Sequence, residues 1–229
     1  MDTWLANPKI PADLKDTVPT DADLILVSHG HFDHSGSAPD LLKASVKPNA
    51  QILAIYEIAD FFVKKREVPE AKIGRYNIGG TKELDFCSVT LVHADHSSGC
   101  PGDDHLIEGG ASAGYVISTP VGIFYHAGDT GVFGDMAIIS ELYKPDFLML
   151  PIGGNFTMGP REAAYAVAKL LLSGKIVIPM HFGTFPLLTG NVADFEKFLA
   201  QFSDEFKREA VKVVDPHIML EAPVAIRDL

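Results

Sequence analysis

The chain has 229 residues, 47% of them apolar and 21% charged, close to the globular average, and this excludes disordered, collagen-like and disulfide-scaffold classes. With 19 basic against 30 acidic residues it carries a net charge of −11, which disfavours nucleic acid and anionic membranes as partners and favours a small-molecule substrate. Two cysteines are too few for a disulfide framework, no apolar run reaches the ~18 residues of a membrane span, and the first residues lack the pattern of a signal peptide, so a single cytoplasmic domain over residues 1–229 is expected.

Residues 1–21 are rich in Pro and Asp and show no period, whereas 23–27 read as a short apolar strand leading to His29. A short helix is predicted over 37–44, with Pro39 near its start, then a strand over 51–56 and a helix over about 57–65. Gly79-Gly80 turns the chain into a strand over 86–92 that runs up to His93. The Gly-rich, acidic stretch 97–111 predicts a loop. Strands over 114–118 and 122–125 are joined at Thr119-Pro120-Val121 with hairpin spacing. A helix over 136–143, a strand over 147–150 and a Gly-Gly-Asn loop follow; Pro160 and Gly174 then bracket an Ala/Leu-rich helix. After a strand over 175–180, Val192, Phe195, Phe198, Leu199, Phe202 and Phe206 keep helical spacing on a long amphipathic helix begun by Asn191. Strands and helices intermix over the whole length, which predicts an α/β fold of sheet and helix layers.

The chemistry concentrates in Ser28-His29-Gly30-His31-Phe32-Asp33-His34, three imidazoles and a carboxylate within six residues just after a predicted strand. Neutral imidazole and carboxylate are the donors that zinc and its neighbours prefer, and a tight turn at a strand end aims alternate side chains at one point. Gly30 and Gly36 suit such a sharply turning backbone. A polar loop that merely contains histidines is the weaker reading.

These residues resemble the metallo-β-lactamase superfamily, whose signature His-x-His-x-Asp-His is complete at His29, His31, Asp33 and His34. His96-Ser97-Ser98, Tyr125-His126-Ala127-Gly128-Asp129-Thr130 and 179–186 (Pro-Met-His-Phe-Gly-Thr-Phe-Pro) match the remaining motifs in order. Gly153-Gly154-Asn155-Phe156-Thr157-Met158-Gly159-Pro160 narrows the resemblance to a branch of metal-dependent hydrolases related to ascorbate-6-phosphate lactonase, over Trp4 to about Glu221. The resemblance implies an αββα four-layer sandwich and two divalent metal ions, zinc first, with manganese or iron as alternatives. It further implies that His29, His31 and His96 bind the first metal, Asp33, His34 and His181 the second, and that Asp129 bridges. Asp33 is then the first choice for general acid/base, orienting a metal-bound water and passing its proton to the leaving group.

His93 lies three residues before His96 and competes for the third ligand position; the His-Ser-Ser motif favours His96. His126 reads as a hydrogen-bond partner that orients a ligand, while His105 and His217 read as surface or packing residues. Cys100 reads as a free thiol. Asn155, Thr157, Thr184 and Phe185 sit in loops after strands and are candidates for substrate positioning; turn capping is an equal reading for Asn155 and Thr184.

Members of this branch carry two or more strands, with a Gly-His-Ser and an Ile-Asp-Pro segment, ahead of the histidine motif, whereas His29 has 28 residues before it. The expectation is that the opening strands are missing and that the bared sheet edge is covered by a second copy, giving a homo-oligomer. The function expected is hydrolysis of a small ester, lactone, amide or phosphoester by a binuclear metal-activated water. The alternatives are a mononuclear iron sulfur dioxygenase of the same fold and a truncated, non-catalytic metal-binding protein.

Overall fold

A computed structural model of the chain describes residues 1–12 and 17–216, so His217 and Glu221 lie outside the described residues. In chain order the elements begin with β1 (Leu24–Val27), α1 (Phe32–Ser35), α2 (Ala38–Ala44), β2 (Gln51–Ile55), α3 (Tyr56–Lys65) and β3 (Ile73–Tyr76). Next come β4 (Thr81–Glu83), β5 (Ser88–His93), β6 (Gly99–Pro101), β7 (Leu106–Glu108), β8 (Ala113–Thr119) and β9 (Gly122–His126). The remainder is α4 (Met136–Tyr143), β10 (Phe147–Pro151), α5 (Pro160–Tyr165), β11 (Ile176–Met180), α6 (Val192–Phe206) and β12 (Lys212–Val213). Contacts group these into two compact units: Met1–Gly80 with His96–Ala113, and Thr81–Asp95 with the chain from Gly114 on.

The first unit is built on a parallel sheet in the order β1-β2-β3. Strands of a parallel sheet are covered on both faces, so β1 (LILV) and β2 (QILAI) are nearly continuous apolar runs with Val27, Ile52, Leu53 and Ala54 fully buried. α3 turns Ile58, Ala59, Phe61 and Phe62 inward and leaves its lysines outside. β6 and β7 pair as a small antiparallel hairpin with Cys100 opposite Ile107.

The second unit holds a seven-stranded mixed sheet in the order β12-β11-β10-β9-β8-β5-β4. β8 and β9 form the expected antiparallel hairpin, and β9, β10 and β11 then run parallel, so their carboxyl ends share one edge. Tyr125, Leu148, Leu150 and Val177 from the strands pack with Phe195, Leu199 and Phe202 of α6 in one buried cluster. Burial of each large side chain contributes about 1.5–3 kcal/mol. α6 starts where expected: the Asn191 carbonyl oxygen Oδ1 accepts from Asp194 N at 2.9 Å while its Nδ2 donates to Asp194 Oδ2 at 2.7 Å.

The structure departs from the sequence reading in several places. The helix predicted between Pro160 and Gly174 is α-helical only to Tyr165 and widens into a π-helical turn over Ala166–Leu170 that closes with Leu171 N on Ala166 O at 2.8 Å. The stretch read as a loop over 97–111 contains the hairpin β6-β7, and α1, β3, β4 and β12 were not foreseen. None of these short elements carries a long apolar period, and β4 is exposed at all three residues.

Candidate metal centre

The donor cluster of the first unit starts where β1 ends. Ser28 and His29 are fully buried, and the chain then turns so that the His31 carbonyl accepts His34 N at 3.0 Å and Ser35 N at 2.9 Å, opening α1. Ser28 Oγ lies 3.0 Å from His29 Nδ1, which leaves His29 Nε2 to face the cluster, 3.0 Å from His31 Nδ1. His96 joins them: its ring centroid is 5.1 Å from those of both His29 and His31. One donor atom from each of His29, His31 and His96 lies within 4.8 Å of the other two. An ion bound to imidazoles at about 2.0–2.1 Å requires donors converging at this scale, so the set fits a divalent metal in both chemistry and spacing.

Side chains around the cluster hold the two loops together. Ser98 Oγ accepts Gly30 N at 3.1 Å, Ser35 Oγ donates to Gly30 O at 2.9 Å, and Ser112 Oγ donates to the carbonyl of His96 at 2.7 Å. Gly30 is required by close approach: a Cβ there would stand 2.7 Å from Cys100 Sγ and 2.9 Å from Cys100 N. The buried Cys100 thiol is pushed up to about 11 by burial, so it packs as a neutral group and not as a thiolate donor.

Asp2 is the site residue the sequence reading missed. Its Oδ1 accepts Ser28 N at 2.8 Å, and its Oδ2 accepts Ser28 Oγ at 2.7 Å and His34 Nδ1 at 2.9 Å. A carboxylate on Nδ1 fixes the tautomer and aims the other ring nitrogen, and His34 Nε2 accordingly faces Asp33 Oδ2 at 3.6 Å. Asp2, His29 and His34 also converge with donor atoms within 4.8 Å of one another. Met1-Asp2-Thr3-Trp4-Leu5 resembles the tail of the branch's Ile-Asp-Pro-Trp segment, but nothing local gives Asp2 a role, because its partners lie 26 and 32 residues away.

The second unit contributes a pair of its own. Asp129, buried in the turn after β9, has Oδ2 3.2 Å from His181 Nε2. Thr130 and Asp95 brace that turn through Asp95 N to Thr130 Oγ1 (2.9 Å) and Gly131 N to Asp95 O (3.0 Å). His126 is buried and accepts Gly128 N on Nδ1 at 3.2 Å, which puts its proton on Nε2 and ties it to the same turn. His181 follows β11 in the left-handed region at φ 52°, and a Cβ at Gly153 would stand 2.1 Å from its carbonyl oxygen. Asn155 is exposed at φ 59° in the loop after β10, near Thr157, whose hydroxyl donates to Met158 O at 3.3 Å. Thr184 and Phe185 are half-buried after His181, and the Phe185 carbonyl accepts Leu188 N at 3.0 Å.

Among the described residues, two histidines fall outside these groups. His93 is exposed and stands edge-on to Phe133 with ring centroids 5.0 Å apart, and His105 is exposed.

A mixed α/β scaffold with histidines and carboxylates gathered on the loops after its strands defines a metallohydrolase class. The chain belongs to the metallo-β-lactamase superfamily: the beta-lactamase superfamily domain matches residues 2–182. A metal-dependent hydrolase of the UPF0173 group from Koribacter versatilis is 42% identical over 201 residues, 87% of this chain and 82% of that one. A second member, from Pyrobaculum islandicum, is 45% identical over 197 residues, covering 86% and 81%. Among solved structures, a metallo hydrolase from Ignicoccus hospitalis is similar with a TM-score of 0.74 and 32% identity, over 93% of this chain and 84% of that one. The protein is therefore a metal-dependent hydrolase of this fold that takes a divalent metal. Among the described residues no helix is long and apolar enough to cross a membrane.

Proposed function

We propose that the protein hydrolyses a small ester, lactone, amide or phosphoester at a centre of two divalent ions, zinc first and manganese or iron as alternatives. The observation that carries this is the convergence of His29, His31 and His96 on one point with the buried His29 presenting Nε2. These three residues would hold the first ion; Asp33, His34 and His181 would serve the second and Asp129 both, as the family resemblance assigns. Bound there, the ions supply Lewis acidity and a water of lowered pKa. The chain's own work is to orient and to move protons. Asp2 and Ser28 fix the tautomers of His34 and His29. Asp33 takes the proton of the attacking water and delivers it to the leaving oxygen or nitrogen. Asn155, Thr157, Thr184 and Phe185 are the proposed substrate-positioning residues, and His126 steadies the turn that presents Asp129.

Metal content per chain, measured by plasma mass spectrometry on protein purified without chelator or affinity resin, tests the reading. Two zinc or manganese ions per chain and their loss in His96→Ala are expected. A single iron would overturn the binuclear hydrolase in favour of the dioxygenase chemistry of the same fold. The proposal extends to a homo-oligomer in the cytoplasm; a monomer at micromolar concentration by light scattering refutes the homo-oligomer.

A further inference from the structure

We propose that Trp4 and Phe32 form an aromatic subsite beside the histidine cluster, which takes a planar aryl or similarly flat apolar group attached to the hydrolysed bond. The inference rests on the hydrolase reading above and names the substrate class it serves.

Phe32 stands between two candidate donors, His31 and Asp33, yet its side chain is 52% exposed. The half-buried Trp4 meets it edge to face, with ring centroids 5.5 Å apart and planes at 88°. Isolated exposed apolar side chains are ordinary on protein surfaces; a large aromatic pair, one member flanked by donors, is a different feature. Both rings ride on backbone that is tied down. Thr3 N donates to His34 O at 2.8 Å, Ser37 N to Thr3 O at 3.2 Å and Leu5 N to Ser37 Oγ at 3.0 Å, which pins the residues either side of Trp4 to the turn that carries His34. On the other side, Gly36 N donates to Phe32 O at 2.9 Å, so Phe32 is held in the same turn. The aromatic surface is thus set before any ligand arrives and loses little freedom on binding. Small-molecule sites pair a few convergent polar groups with apolar walls; the histidine cluster supplies the first, and Trp4 with Phe32 the second.

Trp4 is the single tryptophan of the chain, so its emission reports directly on this wall. The test titrates the metal-loaded protein with phenylacetate and with acetate, two carboxylates that differ by the ring, by calorimetry and by Trp4 fluorescence. Phenylacetate is expected to bind about tenfold more tightly than acetate and to alter Trp4 emission, which acetate leaves unchanged. In Phe32→Ala the preference is expected to fall to about twofold or less while metal content and acetate affinity are kept. Equal affinities in the native protein, or a preference untouched by Phe32→Ala and by Trp4→Leu, overturn the subsite. Metal content on the same samples separates the two readings. A metal-loaded protein without the preference refutes the aromatic wall alone, whereas a protein that takes up no metal refutes the proposed function and the subsite with it.

Discussion

Replacing Asp2 with asparagine should weaken metal binding without unfolding the protein, and the structure gives the size of the effect. One carboxylate accepts three hydrogen bonds, from Ser28 N, Ser28 Oγ and His34 Nδ1. An amide of the same shape can keep its oxygen on one side only. With the oxygen on Ser28 N, its NH2 group faces His34 Nδ1, which must become an acceptor; the imidazole proton then moves to Nε2, the nitrogen that faces Asp33. With the oxygen on His34, the NH2 group opposes the buried Ser28 amide. Either orientation sets the orienting group against a donor, and loss of such a partner costs about 10- to 100-fold in metal affinity, or about 1.4–2.7 kcal/mol. Asp2→Ala is the harsher change, since it strands three donors at about 1–3 kcal/mol each and confounds stability with binding. Zinc affinity should be measured by competition with a chromophoric chelator, alongside the thermal midpoint of the metal-free protein. An Asp2→Asn protein whose zinc affinity stays within about twofold of the native value would refute the orienting role.

Three further outcomes follow from local geometry. Gly30→Ala should lower metal affinity by about tenfold or more, because overpacking on this scale costs about 1–3 kcal/mol; adding Cys100→Ala should not rescue it, since the Cβ still meets Cys100 N at 2.9 Å, and full rescue would show that the sulfur alone sets the limit. The Lys175 ammonium hydrogen-bonded to Asp146 holds that carboxyl below its usual range, so its stabilisation is complete above the unfolded pKa and fades as pH falls below about 4. Asp146→Asn should therefore lower stability by about 0.5 kcal/mol at neutral pH, the pair being solvent-screened, with the gap to the native protein closing in acid; a gap that widens in acid contradicts this sign. Burial raises the pKa of both thiols, and Cys100 is the more deeply buried. At pH 8 a thiol reagent should label Cys87 first and reach Cys100 only on unfolding, whereas equal rates would show that the β6-β7 hairpin opens freely.

Much of the scaffold was legible because its signals are local. The apolar runs of β1, β2, β9, β10 and β11 and the phenylalanine spacing of α6 announce themselves within a few residues, and Asn191 marks the helix start by its own side chain. The histidine motif was legible for the same reason. What stayed hidden depends on partners far away in sequence. Asp2 acquires its role only when β1 brings Ser28 beside it and α1 delivers His34. The π-helical turn after α5 is a choice of register that an Ala/Leu-rich stretch does not encode. In the hairpin β6-β7, the Pro-Gly-Asp-Asp run at its turn reads as a loop while pairing across the strands supplies the order.

His181, like Asn155 in the loop after β10, occupies a left-handed backbone conformation that glycine adopts without steric cost. An L-residue in the left-handed region costs about 1–2 kcal/mol, and at φ 52° the imidazole is kept in place of the residue that would relieve this strain. On the proposed function, selection for robustness and selection for chemistry pull in opposite directions at this position. A lineage rewarded only for surviving heat would gain by glycine here, at the expense of the imidazole that the proposed second ion would use.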